Sequence, residues 1–209
     1  MNYQLVLEDT LKKIAGVPKL LLHACCAPCS SYVLEYLSNY FQITVFYYNP
    51  NIDKEEEYNH RLEEVKRFIK EFKTKYPVDL VELGHCHNEF NDIVHGLEQE
   101  KEGGPRCFKC YELRLDKAYQ YAKENHYDYV TTTLTISPLK NSQKINEIGS
   151  LLENKYQIPY LYSDFKKKEG FKRSIVLSSM YNLYRQNYCG CEFSKERLID
   201  YSVKDKGWF

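Results

Sequence analysis

The sequence predicts an α/β fold, a parallel sheet of about five strands flanked by helices with a C-terminal helical segment. Short apolar runs alternate with amphipathic stretches almost throughout. The stretches between the runs carry apolar residues at spacings of three and four, which is one face of a helix. The chain has 209 residues, of which 43% are hydrophobic and 28% charged, enough to build a core without disulfides. Strand and helix in strict alternation imply right-handed crossovers and a sheet covered on both faces.

The elements follow in order. Lys19 to Ala24 reads as a buried strand, then Cys25, Cys26 and Cys29 straddle a turn into a helix that Pro28 suits at its first positions. Ile43 to Tyr48 is the second strand. Asp53 with Glu56 three residues on resembles a capping box, and Tyr58, Leu62, Val65, Ile69 and Phe72 form one helical face behind it. Val78 to Leu83 is the third strand. Gly103-Gly104-Pro105 marks a loop before a helix with the stripe Tyr111, Leu115, Ala118 and Ala122. Tyr127 to Thr132 is the fourth strand, followed by the stripe Ile145, Ile148, Leu151 and Leu152. Pro159 to Tyr162 is a weaker fifth strand, and a last helix covers Phe171 to Tyr184. No repeat or linker interrupts the pattern, so residues 1–209 read as a single α/β domain.

The N-terminus, Met1-Asn2-Tyr3-Gln4, has no basic region followed by an apolar core, and no apolar run approaches a membrane span. A cytoplasmic protein is expected, with reduced thiols. The formal net charge of zero argues against a broadly basic surface for nucleic acid, though not against a local patch. Twenty tyrosines and ten phenylalanines chiefly serve packing.

Seven of the eight cysteines fall into tight clusters: Cys25-Cys26-x-x-Cys29, Cys107-x-x-Cys110 and Cys189-x-Cys191. In a cytosolic chain such clusters mean metal or redox chemistry. Helix N-terminal amides lower thiol pKa values and make better ligands and nucleophiles. Four thiolates from the two helix-start turns, Cys25-Cys26 after the first strand and Cys107-Cys110 after the glycine loop, can close around one metal centre, either an iron–sulfur cluster or zinc; thiol catalysis without metal is the third option. Adjacent cysteines ligate different irons of a cluster more easily than they share one tetrahedral zinc. Cys189 and Cys191 around one glycine can form a small, reducible disulfide. Cys86, between His85 and His87, reads as loop rather than ligand.

With the cysteine blocks in place, a family resemblance emerges. His23-Ala24-Cys25-Cys26-Ala27-Pro28-Cys29-Ser30, Tyr47-Tyr48-Asn49-Pro50-Asn51-Ile52, Arg106-Cys107-Phe108-Lys109-Cys110-Tyr111 and Tyr188-Cys189-Gly190-Cys191-Glu192-Phe193-Ser194 resemble the epoxyqueuosine reductases of the QueH type. Thr131-Thr132-Thr133-Leu134 with Ser137-Pro138 adds a further matching block. The resemblance implies a Rossmann-like, nucleotide-hydrolase-like sheet and reduction of epoxyqueuosine to queuosine at the wobble position of a tRNA anticodon. It also implies a [4Fe–4S] cluster with an adjacent mononuclear iron. Carried over by position, Cys25, Cys26, Cys107 and Cys110 are the cluster ligands, Cys29 the candidate for the second iron, and Cys189 and Cys191 the redox-active pair. The implied partners are the anticodon stem-loop of tRNA bearing epoxyqueuosine and an external electron donor.

Other residues enter as candidates. Tyr188, Tyr111 and Ser137 are proton donors or structural hydroxyls. Lys166, Lys167, Lys168, Lys172 and Arg173 contact a nucleic-acid backbone or form a solvated face, and Lys140, Lys144 and Arg185 sit nearer the matching blocks. Asn49 and Asn51 bond the modified base or shape a turn. The alternative function is a zinc-stabilised RNA-binding protein without catalysis. An ATP-dependent thiolase of the same superfamily is disfavoured, because the first loop lacks the glycines that let backbone wrap a pyrophosphate.

Overall fold

The computed structural model describes residues 1–194. Four parallel strands, β1 (Lys19–His23), β2 (Gln42–Tyr47), β3 (Val78–Glu82) and β4 (Tyr129–Thr132), form one sheet in the order β3-β2-β1-β4. The helices are α1 (Tyr3–Lys13), α2 (Ala27–Leu37), α3 (Glu55–Glu71), α4 (His87–Val94), α5 (Pro105–Glu124), α6 (Ser142–Tyr156) and α7 (Gly170–Met180).

Alternation along β1 sorts the core into two layers. Leu20 and Leu22 face one way, packing with Leu7 and Leu11 of α1, Val33 and Leu37 of α2, and Leu62 and Val65 of α3. Leu21 faces the other way, with Leu115 and Ala118 of α5 and Ile145 and Ile148 of α6. A sheet buried on both faces needs continuous apolar strands, which is why Leu20-Leu21-Leu22 and Val45-Phe46-Tyr47 show no polar alternation. The chain winds outward from β1 to β3 and then returns to place β4 on β1's other side. That reversal opens a crevice beyond the carboxyl ends of β1 and β4.

Several expectations change in detail. Pro159 to Tyr162 adds only an isolated bridge, Tyr160 to Val130, so the sheet has four strands rather than five. Pro159 has no N–H to extend the ladder, and Tyr162 N–H turns back onto the Tyr160 carbonyl. The Asp53 capping box does not form. Asp53 N–H is taken by the Gly190 carbonyl, so α3 starts after Lys54 with Glu55, Glu56 and Glu57 in its first turn. Leu151 is 69% exposed, whereas Ile145, Ile148 and Leu152 are buried. α7 stops at Met180, because Asn182 adopts φ 47° and Leu183 N–H bonds back to Ser178, leaving Tyr184 outside. Helix α1, absent from the sequence reading, covers one core layer. Among the described residues no helix is long and apolar enough to cross a membrane.

Candidate metal centre

Cys25 follows β1 directly, Cys26 is the extended N-cap of α2, and Cys29 lies in that helix's first turn behind Pro28. This compact turn brings the three sulfurs within 4.8 Å of one another. Cys25 Sγ lies 3.7 Å from Cys26 Sγ and 3.8 Å from the hydroxyl of Thr133, just past β4. Both strand ends therefore meet at the crevice, as the sequence predicts.

The three thiols do not ionise alike. Hydrogen bonds from Cys26 and Cys29 hold the Cys25 thiol well below its usual range, helped by the charges of Arg114 and Lys140. The same contacts, with burial, push Cys26 up to about 12 and Cys29 well above the usual thiol value. Cys25 is thus the sulfur of the three on which negative charge is most favoured, with two neighbouring thiols as donors, a soft arrangement suited to a metal.

Cys107 and Cys110 sit in the opening turns of α5, after Gly103 and the N-cap Gly104. Gly103, at φ +85°, donates its N–H to Cys107 Sγ at 3.2 Å. Cys110 is buried beside Phe90, Val94 and Cys191, and burial pushes its thiol up to about 11. Neither belongs to the compact 25/26/29 group. They neighbour the Cys189-Gly190-Cys191 turn instead, and burial, then Cys189, drives Cys191 up to about 12. All eight cysteines are free thiols.

A buried arginine joins the two cysteine groups. Arg114 Nη1 reaches Cys110 Sγ at 3.9 Å, Nε donates to His23 Nε2 at 3.2 Å, and Nη2 donates to Asn49 Oδ1 at 2.5 Å. The same Nε2 also lies 3.2 Å from the Tyr48 carbonyl, and Nδ1 pairs with Thr132 Oγ1 at 2.8 Å. Burial, then Arg114, lowers His23 to about 3, so its ring stays neutral. Asn49 is spent in this network, donating to the Ala24 carbonyl at 3.0 Å, and is fully buried, so a role in bonding a base is ruled out.

Arg61 does equivalent work on the third cysteine cluster. It is held by Glu57 at 2.7 Å and donates to the Cys189 carbonyl at 3.2 Å, while its guanidinium covers the Tyr188 ring at 5.2 Å. Asn51, also buried, donates to the same carbonyl at 3.3 Å. Gly190 needs its hydrogen: at φ +107° a Cβ would meet Ile52 at 2.9 Å and Arg61 at 3.2 Å.

These parts line one cleft, whose walls include Cys25, Cys29, Arg114, Lys140, Tyr188 and Cys189. Lys140 Nζ lies 3.6 Å from Cys189 Sγ. Burial would lower this ammonium, yet Cys189, Tyr111, Cys25 and Cys29 outweigh it and hold it well above the usual lysine value. Ser137 also lines the cleft and Arg185 lines a neighbouring hollow with Cys29. Tyr111 is 3% exposed and packs in the core, its phenol raised first by burial, so it is not placed as a donor to a bound substrate.

Other candidates fall elsewhere. His85 and His87 bond the carbonyls of Ile52 and Pro50 at 2.7 and 2.8 Å, bracing that loop, and Cys86 Sγ faces the Leu83 carbonyl. Lys144 pairs with Glu147 at 3.3 Å and stands over Phe108. Sequence reasoning missed Arg61 and Arg114. The signal was present, since each is a cation inside an apolar stripe, between Tyr58 and Leu62 and between Tyr111 and Leu115.

A family model described as epoxyqueuosine reductase QueH matches residues 20–197. The epoxyqueuosine reductase QueH of Streptococcus pyogenes serotype M1 is 44% identical over 199 residues, covering 93% of this chain and 78% of that protein. The one from Staphylococcus epidermidis is 42% identical over 214 residues, 99% of this chain and 90% of its own. A more distant relative of the same description, from Thermotoga maritima, is 32% identical over 182 residues, 84% and 89% of the two chains. The match begins within the first strand and runs past the last cysteine pair, so the chain belongs to the epoxyqueuosine reductase QueH family, a family of oxidoreductases.

Proposed function

We propose that this chain removes the epoxide oxygen of epoxyqueuosine at the wobble position of a tRNA anticodon, giving queuosine. The reaction consumes two electrons and two protons and releases the oxygen as water. The observation that carries this reading is that Cys25, Cys29 and Cys189 line one cleft at the crevice of an epoxyqueuosine reductase family fold. In this reading the cleft receives the unstacked wobble base, as an anticodon loop presents one.

In this reading Cys25, Cys26, Cys107 and Cys110 hold a [4Fe–4S] cluster and Cys29 ligates an adjacent mononuclear iron. The donor chemistry supports this: Cys25 and Cys26, with Cys29, bring three sulfurs within 4.8 Å of one another, and Cys110 and Cys25 share the buried Arg114 beside the same cleft. When bound, the iron–sulfur group supplies single electrons and Lewis acidity toward the epoxide oxygen. The rest falls to side chains. Lys140 brings a cation and N–H donors to the place where alkoxide charge develops, and Ser137 and Tyr188 offer hydroxyl protons from the same walls. Arg61 and Asn51 fix the Cys189 backbone so that its sulfur faces the cleft. Cys189 and Cys191 act as a redox-active pair: closing their disulfide releases two electrons and two protons, and an external donor reopens it. Free thiols of this kind suit a cytoplasmic setting, with the whole site carried on one domain, 1–209.

Anaerobic incubation of iron-loaded protein with epoxyqueuosine-containing tRNA and dithionite should yield queuosine by nucleoside mass spectrometry. Protein with full iron and sulfide that converts none overturns the reading. Stoichiometric zinc in place of iron in active protein removes the cluster assignment alone.

A further inference from the structure

We propose that Arg114 is the built-in counter-cation of the cysteine centre, a positioning residue whose fixed charge sets how readily the bound iron–sulfur group accepts an electron. Arg114 is 1% exposed, and its hydrogen-bond partners are the neutral side chains His23 and Asn49 and the sulfur of Cys110. Among the described residues no carboxylate pairs with it. A guanidinium stripped of water and given no anion is costly, and proteins rarely tolerate it. Arg61 shows the ordinary solution: equally buried, it has Glu57 at 2.7 Å. Among the described residues the one hydrogen-bond partner of Arg114 that becomes anionic on binding a metal is the Cys110 sulfur, 3.9 Å from Nη1. The guanidinium is clamped in place by three elements, His23 at the end of β1, Asn49 after β2 and α5 itself, so it cannot swing away when the centre is empty.

The sign of the effect follows from charge. A thiolate-ligated cluster is anionic and gains one more negative charge on reduction, so a fixed cation nearby stabilises the reduced form more. For a divalent metal entering the empty site, several thiols become a complex of net negative charge, which the same cation also favours.

The proposal rests on the iron–sulfur reading in one arm of its test and not in the other. In the first arm, the iron-loaded full-length chain is titrated anaerobically against redox mediators and followed by visible absorbance, as wild type, R114Q and R114K. R114Q keeps hydrogen-bonding groups toward Asn49 and His23 but loses the charge, whereas R114K keeps the charge and loses the fork. The equilibrium constant for one-electron reduction should fall at least tenfold in R114Q, a potential about 59 mV lower. It should stay within about threefold of wild type in R114K, the charge being retained. An unchanged R114Q, or a tenfold fall in R114K with its circular dichroism intact, overturns the proposal.

The second arm uses the reduced, metal-free full-length chain and cobalt(II), read by thiolate-to-metal charge-transfer absorbance. Affinity should drop at least tenfold in R114Q and hold in R114K; equal affinities in all forms overturn the proposal. A chain that never assembles iron and sulfide sinks the cofactor reading, while cobalt still decides the role of Arg114. If R114Q does not fold, R114K decides alone in both arms, and a tenfold loss there overturns the proposal.

Discussion

Cations keep two kinds of company in this molecule. Along the 164–173 segment they meet carboxylates: Lys166 with Asp164 at 2.8 Å, Lys168 with Glu8, Lys172 with Glu169 at 3.3 Å, and Arg173 with both oxygens of Glu35 at 2.5 and 2.9 Å. At the cleft, Arg114 and Lys140 meet sulfur. Paired surface charges neutralise one another and contribute little to stability. Charges left without carboxylates beside thiols are instead available to whatever anion the site creates, a thiolate, a cluster or a developing alkoxide. The densest basic run in the sequence is thus where cations pair with carboxylates, and the cations at the cleft are the ones that face sulfur.

The largest expected effect comes from removing the anionic side of the cleft. Cys25→Ala deletes the sulfur that Cys26 and Cys29 hydrogen-bond and whose ionisation Arg114 and Lys140 favour. Bound iron and sulfide should be lost and tRNA reduction abolished, measured by metal analysis and nucleoside mass spectrometry on the same preparation. Retention of full iron would show that the 25/26/29 group is not the seat of the metal.

Next comes the cationic side. Lys140→Met should lower kcat by about 100-fold, the scale for losing one preorganised donor at a developing oxyanion. The circular dichroism should stay that of the folded protein, because Lys140 sits on a loop and Cys189 Sγ is the side-chain hydrogen-bond partner of its Nζ. An unaltered kcat would place Lys140 with the lysines of the 164–173 segment and erase the contrast between the regions.

These two residues also mark how far sequence alone reaches. The strand–turn–helix position of Cys25, Cys26 and Cys29 is legible because apolar runs, Pro28 and cysteine spacing are local signals. The junction of β1 and β4 is legible too, since an alternating chain must put both strand ends on one edge. The partners of the sulfurs are not. Asn49 reads as a residue of a turn, and only folding carries it to Arg114, far along the chain on α5. Likewise, Asp53 has the spacing of a cap, but its N–H belongs to Gly190, a tertiary contact that no local pattern encodes. The fifth strand fails for a local reason that was visible, the proline at its start.

The network under the cleft can be probed through stability. Asn49→Ala leaves the Ala24 carbonyl and one Arg114 N–H buried without partners, where each had a bond at 3.0 and 2.5 Å. The cost should be about 2–4 kcal/mol in urea denaturation, the range for two stranded polar groups, one of them on a charged donor. A loss below about 1 kcal/mol would mean that water replaces Asn49, and Arg114 would then be less firmly held than the buried geometry implies.

The smallest effect belongs to the paired region and can be separated by pH. Lys168 and Gln4 hydrogen-bond the surface carboxylate of Glu8 and hold its pKa below the ordinary value. A carboxyl with a lowered folded pKa contributes fully above its unfolded value, about 4.3, and loses that contribution as pH falls through the folded one. Glu8→Gln should therefore lower the melting temperature slightly and by a constant amount above about pH 5, with the difference shrinking to nothing in stronger acid. Activity should not change at any pH where the protein is folded, since α1 lies away from the cleft walls. A Glu8→Gln variant that lost turnover would link the paired surface to the cleft, and the two regions could no longer be treated as electrostatically separate.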